Sequence, residues 1–215
     1  MSDNYNPSST TPSSPAPEIT QAGLMDVVNS WITSLTKPAV STYAAEVPRA
    51  SQNRVIMSVG LATVVAALAG LLGGLFSGNA IGSLILALIM TPISFLLAAG
   101  GFYLGARLMK GTGSFMEHAW VWSTIWAPVS VISSILGIIP VIGGLVGLVL
   151  GLFALYLYYM AIQAVHRLDG TNAILALIIG AVILFVGMAI IGGIIAGILL
   201  AMGLAAGAAA AVTGR

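Results

Sequence analysis

The sequence predicts an all-α membrane protein: a polytopic bundle of five transmembrane spans, preceded by amphipathic N-terminal helices. Of the 215 residues, 59% are hydrophobic and only 6% are charged, a balance outside the range of soluble domains. The charged residues are clustered, so long uncharged blocks lie between them. Because a helix of about 20 apolar residues crosses the hydrocarbon core, each of these blocks is long enough for two spans.

Composition also excludes several classes of function. Seven Lys and Arg against six Asp and Glu leave a formal charge of +1, too little to neutralise phosphates, so no nucleic-acid partner is expected. The absence of Cys excludes disulfides, thiolate catalysis and Cys-ligated metals. The partners that remain are the lipid bilayer, other membrane proteins and a second copy of the chain, and no cofactor is predicted.

Composition divides the chain into three parts. Residues 1–20 are rich in Ser, Thr and Pro, so we expect a disordered cytosolic tail without a secretory signal peptide. Residues 21–52 show apolar positions at helical spacing and predict amphipathic helices. Residues 53–215 are predicted to form the transmembrane domain.

Two amphipathic helices are predicted in the middle part, ending at Pro38 and Pro48. Trp31 in the first and Tyr43 in the second are typical of the membrane interface, where aromatic rings lie among lipid headgroups. The alternative is that these helices pack against the end of the bundle. The sequence does not decide between the two interpretations, and they are not exclusive. The apolar positions are Leu24, Val27, Val28, Trp31, Ile32 and Leu35, then Val40, Tyr43, Ala44 and Val47.

The spans follow from the uncharged blocks and their turns. Ser77–Asn79 breaks the first block near its middle, and Gly137–Gly144 breaks the second. The third block has no Pro, Asn or Asp between Ala173 and Val212 and predicts one long span. A sixth span, or a re-entrant tail, is the alternative if Gly192 and Gly193 bend the chain. The five predicted spans are about 55–76, 81–106, 115–138, 141–165 and 173–200.

The basic residues predict the orientation. Six of the seven Lys and Arg residues fall before the first span or in alternate connectors, all on one side of the predicted topology. The positive-inside rule therefore places the N-terminus in the cytosol. These six are Lys37, Arg49, Arg54, Arg107, Lys110 and Arg167.

Glycines recur at a spacing of four within the spans, which places each set on one helix face. Small residues let helix backbones approach closely in lipid. We therefore expect these glycines to pack helices inside the bundle, with oligomerisation as the alternative. They are Gly70, Gly74, Gly78, Gly101, Gly105, Gly143, Gly147, Gly151, Gly193 and Gly197.

A polar cluster is predicted at the cytosolic surface, where the connectors of the spans meet. We expect an ion pair between one of its carboxylates and one of its arginines. Zinc binding is the alternative, although no His-x-x-x-His or Glu-x-x-His spacing preorganises the ligands. The cluster comprises Arg107, Glu117, His118, His166, Arg167 and Asp169.

Catalytic machinery is not visible in the sequence. It has no His-Glu-x-x-His motif, and no ionisable residue is predicted at membrane depth, where transporters and intramembrane enzymes place theirs. We predict no catalytic, cofactor-binding or metal-binding residues and no enzymatic activity. An enzyme remains an alternative only because Glu117, His118 and His166 converge on one predicted surface. Pro92 and Pro128 predict kinks in the second and third spans.

Several segments together resemble a known family, the Yip-domain proteins, named for interaction with Ypt/Rab GTPases. The similarity covers roughly Ser30–Leu200, and no catalytic residues belong to the family pattern. The segments that carry it are Trp31–Pro38, Lys110–Phe115, Ala127–Pro128, Tyr158–Leu168 and Asn172–Ala173.

The resemblance implies five spans, a cytosolic N-terminus and a role in organising membrane partners or bilayer shape. The lean, Ala- and Gly-rich spans resemble the prokaryotic branch, which implies the cell membrane of a prokaryote. The family's GTPase binding is not carried over, because the predicted head is short and rich in Ser, Thr and Pro. The alternative function is a transporter or channel for a small neutral or apolar solute, with Pro92, Pro128 and the glycines along its path.

Overall fold

A computed structural model describes residues 21–213 of the chain. The predicted tail, residues 1–20, lies outside this range. The described residues form seven α-helices and one short 3₁₀ turn, Val47–Arg49. The helices are α1 (Gln21–Thr36), α2 (Val40–Glu46), α3 (Gln52–Ser77), α4 (Ala80–Leu108), α5 (Phe115–Leu136), α6 (Pro140–His166) and α7 (Gly170–Thr213).

Five of these helices, α3 to α7, are long and apolar enough to cross a membrane. The predicted all-α fold with five spans is therefore confirmed. The sixth span would require a reversal near Gly192, but α7 continues through this point as one helix of 44 residues. At about 1.5 Å per residue it is roughly 66 Å long, about twice the hydrocarbon thickness. Pro92 and Pro128 likewise lie inside continuous helices.

Local sequence explains where the spans begin and end. Ser51 caps α3, and its Oγ accepts a hydrogen bond from the Arg54 amide. Gly78 ends α3 in the left-handed conformation, with φ of 73°, which glycine adopts without strain. Ser114 and Glu117 form a capping box at the start of α5. Pro140 begins α6, where its missing amide hydrogen costs nothing.

The five long helices alternate in direction, so the bundle has two ends. The head end carries the starts of α3 and α5 and the connectors 109–114 and 167–169, and the far end carries the turns 78–79 and 137–139. We call α1, α2 and the 3₁₀ turn the head. The head packs on the bundle at the head end, with α1 on α3 and α5 and α2 on α6, while α7 packs on α4.

The predicted packing glycines divide into two groups. A Cβ at Gly70 would lie 3.0 Å from the Ser83 carbonyl oxygen, and one at Gly101 would lie 3.2 Å from that of Gly180. Methyl groups at Gly74, Gly105 and Gly143 would also clash with a neighbouring backbone. By contrast, no described atom lies within 4 Å of a Cβ built at Gly78, Gly147, Gly151, Gly193 or Gly197. Close helix approach thus involves only part of the predicted set.

Candidate functional site

The most elaborate polar arrangement in the described chain joins the head to the bundle, and its centre is Glu46. This carboxylate is 5% exposed. Its Oε2 accepts a hydrogen bond from Trp120 Nε1 of α5 at 3.1 Å, and its Oε1 accepts one from Arg49 Nη1 at 2.7 Å. Ser30 Oγ of α1 lies 3.3 Å from both oxygens. One buried carboxylate therefore connects α1, α2 and α5.

A second carboxylate, Asp26, lies at the outer edge of this network. It forms ion pairs with Arg49 and with Arg54 of α3. The Arg54 guanidinium also lies 5.3 Å from the ring centroid of Trp120, within cation–π range. Partial burial alone would raise the pKa of Asp26, but the hydrogen bonds and charges of the two arginines outweigh it and lower the pKa below its usual value.

Hydroxyl groups continue the junction deeper along α1. Trp31 Nε1 donates to Ser58 Oγ of α3 at 2.9 Å. Ser34 Oγ donates to Thr124 Oγ1 of α5 at 2.8 Å, and the Tyr43 hydroxyl donates to the Ser34 carbonyl oxygen at 2.9 Å. Burial raises the pKa of Tyr43 above its usual value, with a smaller contribution from Tyr156 of α6.

These contacts place Trp31 and Tyr43 inside the junction. The sequence left open whether both rings lie among the headgroups or pack on the bundle, and in the structure Trp31 is 7% exposed and Tyr43 is fully buried. Both side chains carry a polar atom that is satisfied by a partner within the protein, so burial costs them no hydrogen bond. Of the two interpretations, packing on the bundle describes these residues.

The predicted polar cluster is only partly assembled. His118 and His166 are brought together, with Nδ1 of the first 3.0 Å from Nε2 of the second. Both rings are buried, with Tyr103 beside each of them and Trp122 stacked on His118. The outer nitrogens, His118 Nε2 and His166 Nδ1, have no hydrogen-bond partner among the described residues.

The ion pair predicted within this cluster is wrong. The described residues form three ion pairs, all between the head or the start of α3 and Asp26 or Glu46. Glu117 instead accepts a hydrogen bond from the Ser114 amide, and Asp169 accepts one from the Asn172 amide, so both cap helices. Hydrogen bonds from the backbone and side-chain amides of Asn172 lower the pKa of Asp169 below its usual value. Arg107 donates to the Gly111 carbonyl oxygen at 2.8 Å.

The zinc and enzyme alternatives depend on where the structure places the carboxylates relative to the two histidines. Across residues 21–213, no group of three or more His, Asp and Glu side chains is placed to hold a metal ion. The enzyme alternative required Glu117 beside the two histidines, but its carboxylate turns back to cap α5. The site as built is suited to holding helices together.

Glu46 is the residue that sequence reasoning missed. A single Glu before Val47 and Pro48 reads as a solvated charge, and its partners Ser30 and Trp120 lie 16 and 74 residues away. One local signal was available. Glu46 lies three residues after Tyr43, on the same face of the second amphipathic stripe.

A large crevice opens in the far half of the bundle. Its volume is about 910 Å³, and its walls are mostly Ala and Gly, with hydroxyls from Ser83, Thr91 and Ser134. In the head half the interior is filled by large side chains, among them Trp120, Trp122 and Phe95. The crevice therefore does not continue as an open path through the described bundle.

Comparison with known proteins decides the family. The sequence profile of the Yip1 domain matches residues 32–191. The chain belongs to the Yip1-domain family. The matched Yip1 domain begins inside α1 and ends inside α7, so it contains part of the docked head as well as the long helices. No curated protein and no solved structure gives a significant match to the chain.

Proposed function

We propose that this Yip1-domain protein is a non-enzymatic membrane protein that organises partner proteins or bilayer shape through its head. Membership of the family and the five apolar helices support a membrane-embedded role. The observation that carries the proposal is the Glu46 network, which holds the head in one position on the bundle. A fixed head presents a constant surface to whatever it contacts.

That surface is the outer face of α1. Met25, Asn29, Ile32 and Thr36 are exposed and recur at helical spacing. The opposite face, with Val27, Ser30, Trp31 and Ser34, is buried against the bundle. The outer face therefore combines two large apolar side chains with two short polar ones, a composition suited to a lipid surface or to a protein partner.

The orientation belongs to the same proposal. The six basic residues on which it rests, Lys37 to Arg167, lie at the head end, so the positive-inside rule places this end in the cytosol. The membrane proposed is the cell membrane of a prokaryote. Because the sequence has no Cys, one Cys introduced at Lys110 or Asn79 can be labelled from either side of the membrane. Labelling of the Lys110 site from outside intact cells would contradict the orientation.

The role of the head can be tested on its outer face without disturbing the fold. We expect Met25→Ser with Ile32→Ser to abolish the effect of the purified protein on the diameter of reconstituted vesicles, or to abolish photo-crosslinking of specific proteins from position 29. The control is Leu104→Ser, an exposed apolar residue of α4. If the head variant and the control behave alike in both assays, the proposal is wrong.

The alternative function, a transporter or channel for a small neutral or apolar solute, is favoured by the far-half crevice. A solute that used it would be blocked by Ala87→Phe, since Ala87 lines its wall. Solute flux in proteoliposomes would show this. If the protein supports no solute flux, or if Ala87→Phe leaves the flux unchanged, transport through the crevice is contradicted and the organising role is favoured.

A further inference from the structure

A small polar pocket at the head end lies outside the Glu46 network and is unused by the proposed function. Its volume is about 230 Å³, below the roughly 300–1,000 Å³ of sites for drug-sized ligands. Its charged lining residues are Glu117 of α5 and Arg167, which follows α6. The remaining lining residues are Ala44, Val47, Thr112, Gly113, Ala164 and Val165.

The two charges border one pocket without neutralising each other. None of the ion pairs between described residues includes Glu117 or Arg167, although the two groups interact at longer range. The Glu117 capping bond uses one carboxylate oxygen, Oε2. Because a carboxylate has about four acceptor positions, most of its capacity is left.

The backbone adds negative character on the Glu117 side. The pocket is lined by Ala164 and Val165 in the last turn of α6, where carbonyl oxygens lack partners within the helix and the helix dipole favours a cation. The connector packs closely on this turn at Gly113, where a Cβ would lie 2.6 Å from the Val165 carbonyl oxygen. The pocket thus offers several acceptors to a cation and one guanidinium to an anion.

The pocket lies at the level of the connectors 109–114 and 167–169, which join the apolar helices at the head end. Exposed apolar side chains continue along α4 to Leu108 and begin on α7 at Ile174. Both positions are close in sequence to the connectors that form the head end. In a bilayer, hydrocarbon would therefore reach almost to the head end, where the connector residues Thr112, Gly113 and Arg167 line the pocket.

From this arrangement we infer that the pocket binds a phosphoethanolamine group, the headgroup of a zwitterionic phospholipid. The primary ammonium donates its three hydrogens to Glu117 and the end of α6, and the phosphate pairs with Arg167. A choline group has no such hydrogens and is recognised by aromatic rings, which the lining residues lack. A phosphoserine group would bring a further carboxylate close to Glu117.

The test compares lipids on the purified full-length protein. We expect native mass spectrometry to show phosphatidylethanolamine bound about tenfold more tightly than phosphatidylcholine or phosphatidylglycerol of the same chains, the ratio that a charge-assisted hydrogen bond gives. Glu117→Gln keeps an acceptor for the Ser114 amide but loses the charge, and we expect it to reduce this preference to under threefold. Arg167→Asn should weaken binding of phosphatidylethanolamine by a similar factor.

Matched controls exist for both variants. Asp169→Asn removes an exposed capping carboxylate outside the pocket. Lys110→Asn removes the positive charge of a residue that, like Arg167, has a positive φ. Neither should change the preference. Soluble phosphoethanolamine tests whether the pocket recognises the headgroup or the whole lipid. If it displaces the bound lipid, the headgroup alone is the ligand. If the three lipids bind equally, or if the preference persists in Glu117→Gln, the inference is wrong.

Discussion

The head half and the far half of this bundle are built from the same five helices but packed differently. In the head half, large side chains such as Trp120, Trp122 and Leu157 are buried, and hydrogen bonds cross from one helix to the next. In the far half, Phe76 is 84% exposed and Leu145 is 69% exposed. There the walls of the 910 Å³ crevice are mostly Ala and Gly.

The difference shows what the head contributes. Within lipid, helices associate through close packing and interhelical hydrogen bonds, because the surrounding tails are as apolar as the side chains. The head brings Ser34 and Glu46 to α5 and Trp31 to α3 as polar partners. Among the described residues, no additional element packs on the far half in this way. Stability should therefore be concentrated where the head docks.

The largest effect is expected at Glu46. Glu46→Ala removes the shared acceptor and leaves Trp120 Nε1 buried without a partner, which should lower the free energy of unfolding by about 3–5 kcal/mol. Glu46→Gln retains an acceptor for Trp120 and should cost less. Reversible unfolding in mixed micelles measures both. If Glu46→Ala costs no more than Ser134→Ala in the far half, the two halves do not differ as described.

A pair of glycines from the same sequence pattern gives the next largest contrast. Gly105→Ala would drive a methyl group into the Ala176 carbonyl oxygen and push α4 from α7, at a cost of about 1–3 kcal/mol. Gly147→Ala meets no described atom within 4 Å and should stabilise α6 by about 0.4–1 kcal/mol through helix propensity. Thermal unfolding of the two variants compares them directly, and effects of the same sign would contradict the glycine assignment.

The same hydroxyl deletion in the two halves should also differ. Ser34→Ala removes the hydrogen bond to Thr124 on another helix and should cost about 1 kcal/mol. Ser134 Oγ bonds only the Ser130 carbonyl oxygen of its own helix among the described contacts, so Ser134→Ala should cost about 0.5 kcal/mol or less. Unfolding in the same micelles measures both. Equal losses of unfolding free energy would mean that hydrogen bonds between helices in the head half stabilise the protein no more than a bond within one helix.

The smallest effect concerns Asp26. Asp26→Asn should cost about 1 kcal/mol or less at pH 7, because this ion-paired carboxylate is half-exposed and screened by solvent. Its pKa is lowered in the folded protein, so the stabilisation is present above the unfolded pKa of about 3.9 and is lost as the pH falls through the folded pKa. Melting curves from pH 7 to pH 3 should show the gap between the two proteins closing. A gap that widens in acid would contradict the assignment.

The architecture was largely predictable because lipid imposes strong local rules. Span number followed from uncharged blocks and from turn residues such as Gly78 and Pro140, all of which act within one segment of chain. The continuous α7 followed from the lack of breakers after Ala173.

The candidate site was predicted less well because its contacts join distant segments. Trp31 and Tyr43 carry the same local pattern whether they face headgroups or the bundle, and only the partners Ser58 and the Ser34 carbonyl decide between them. The predicted ion pair of Glu117 failed for the opposite reason. The backbone amide of Ser114, three residues away, donates a hydrogen bond to the Glu117 carboxylate, which forms no ion pair with an arginine of the described chain.

The central claim is that the head is docked on α5 as part of the folded domain, and a designed disulfide tests it most directly. Since the sequence has no Cys, Ser34→Cys with Thr124→Cys introduces the only two thiols, at positions whose side-chain oxygens lie 2.8 Å apart. The account predicts rapid, near-complete intramolecular crosslinking in native membranes, and none for Ile32→Cys with Thr124→Cys, because Ile32 faces away from the bundle. Equal crosslinking of the two pairs, or none in either, would show that the head is not docked.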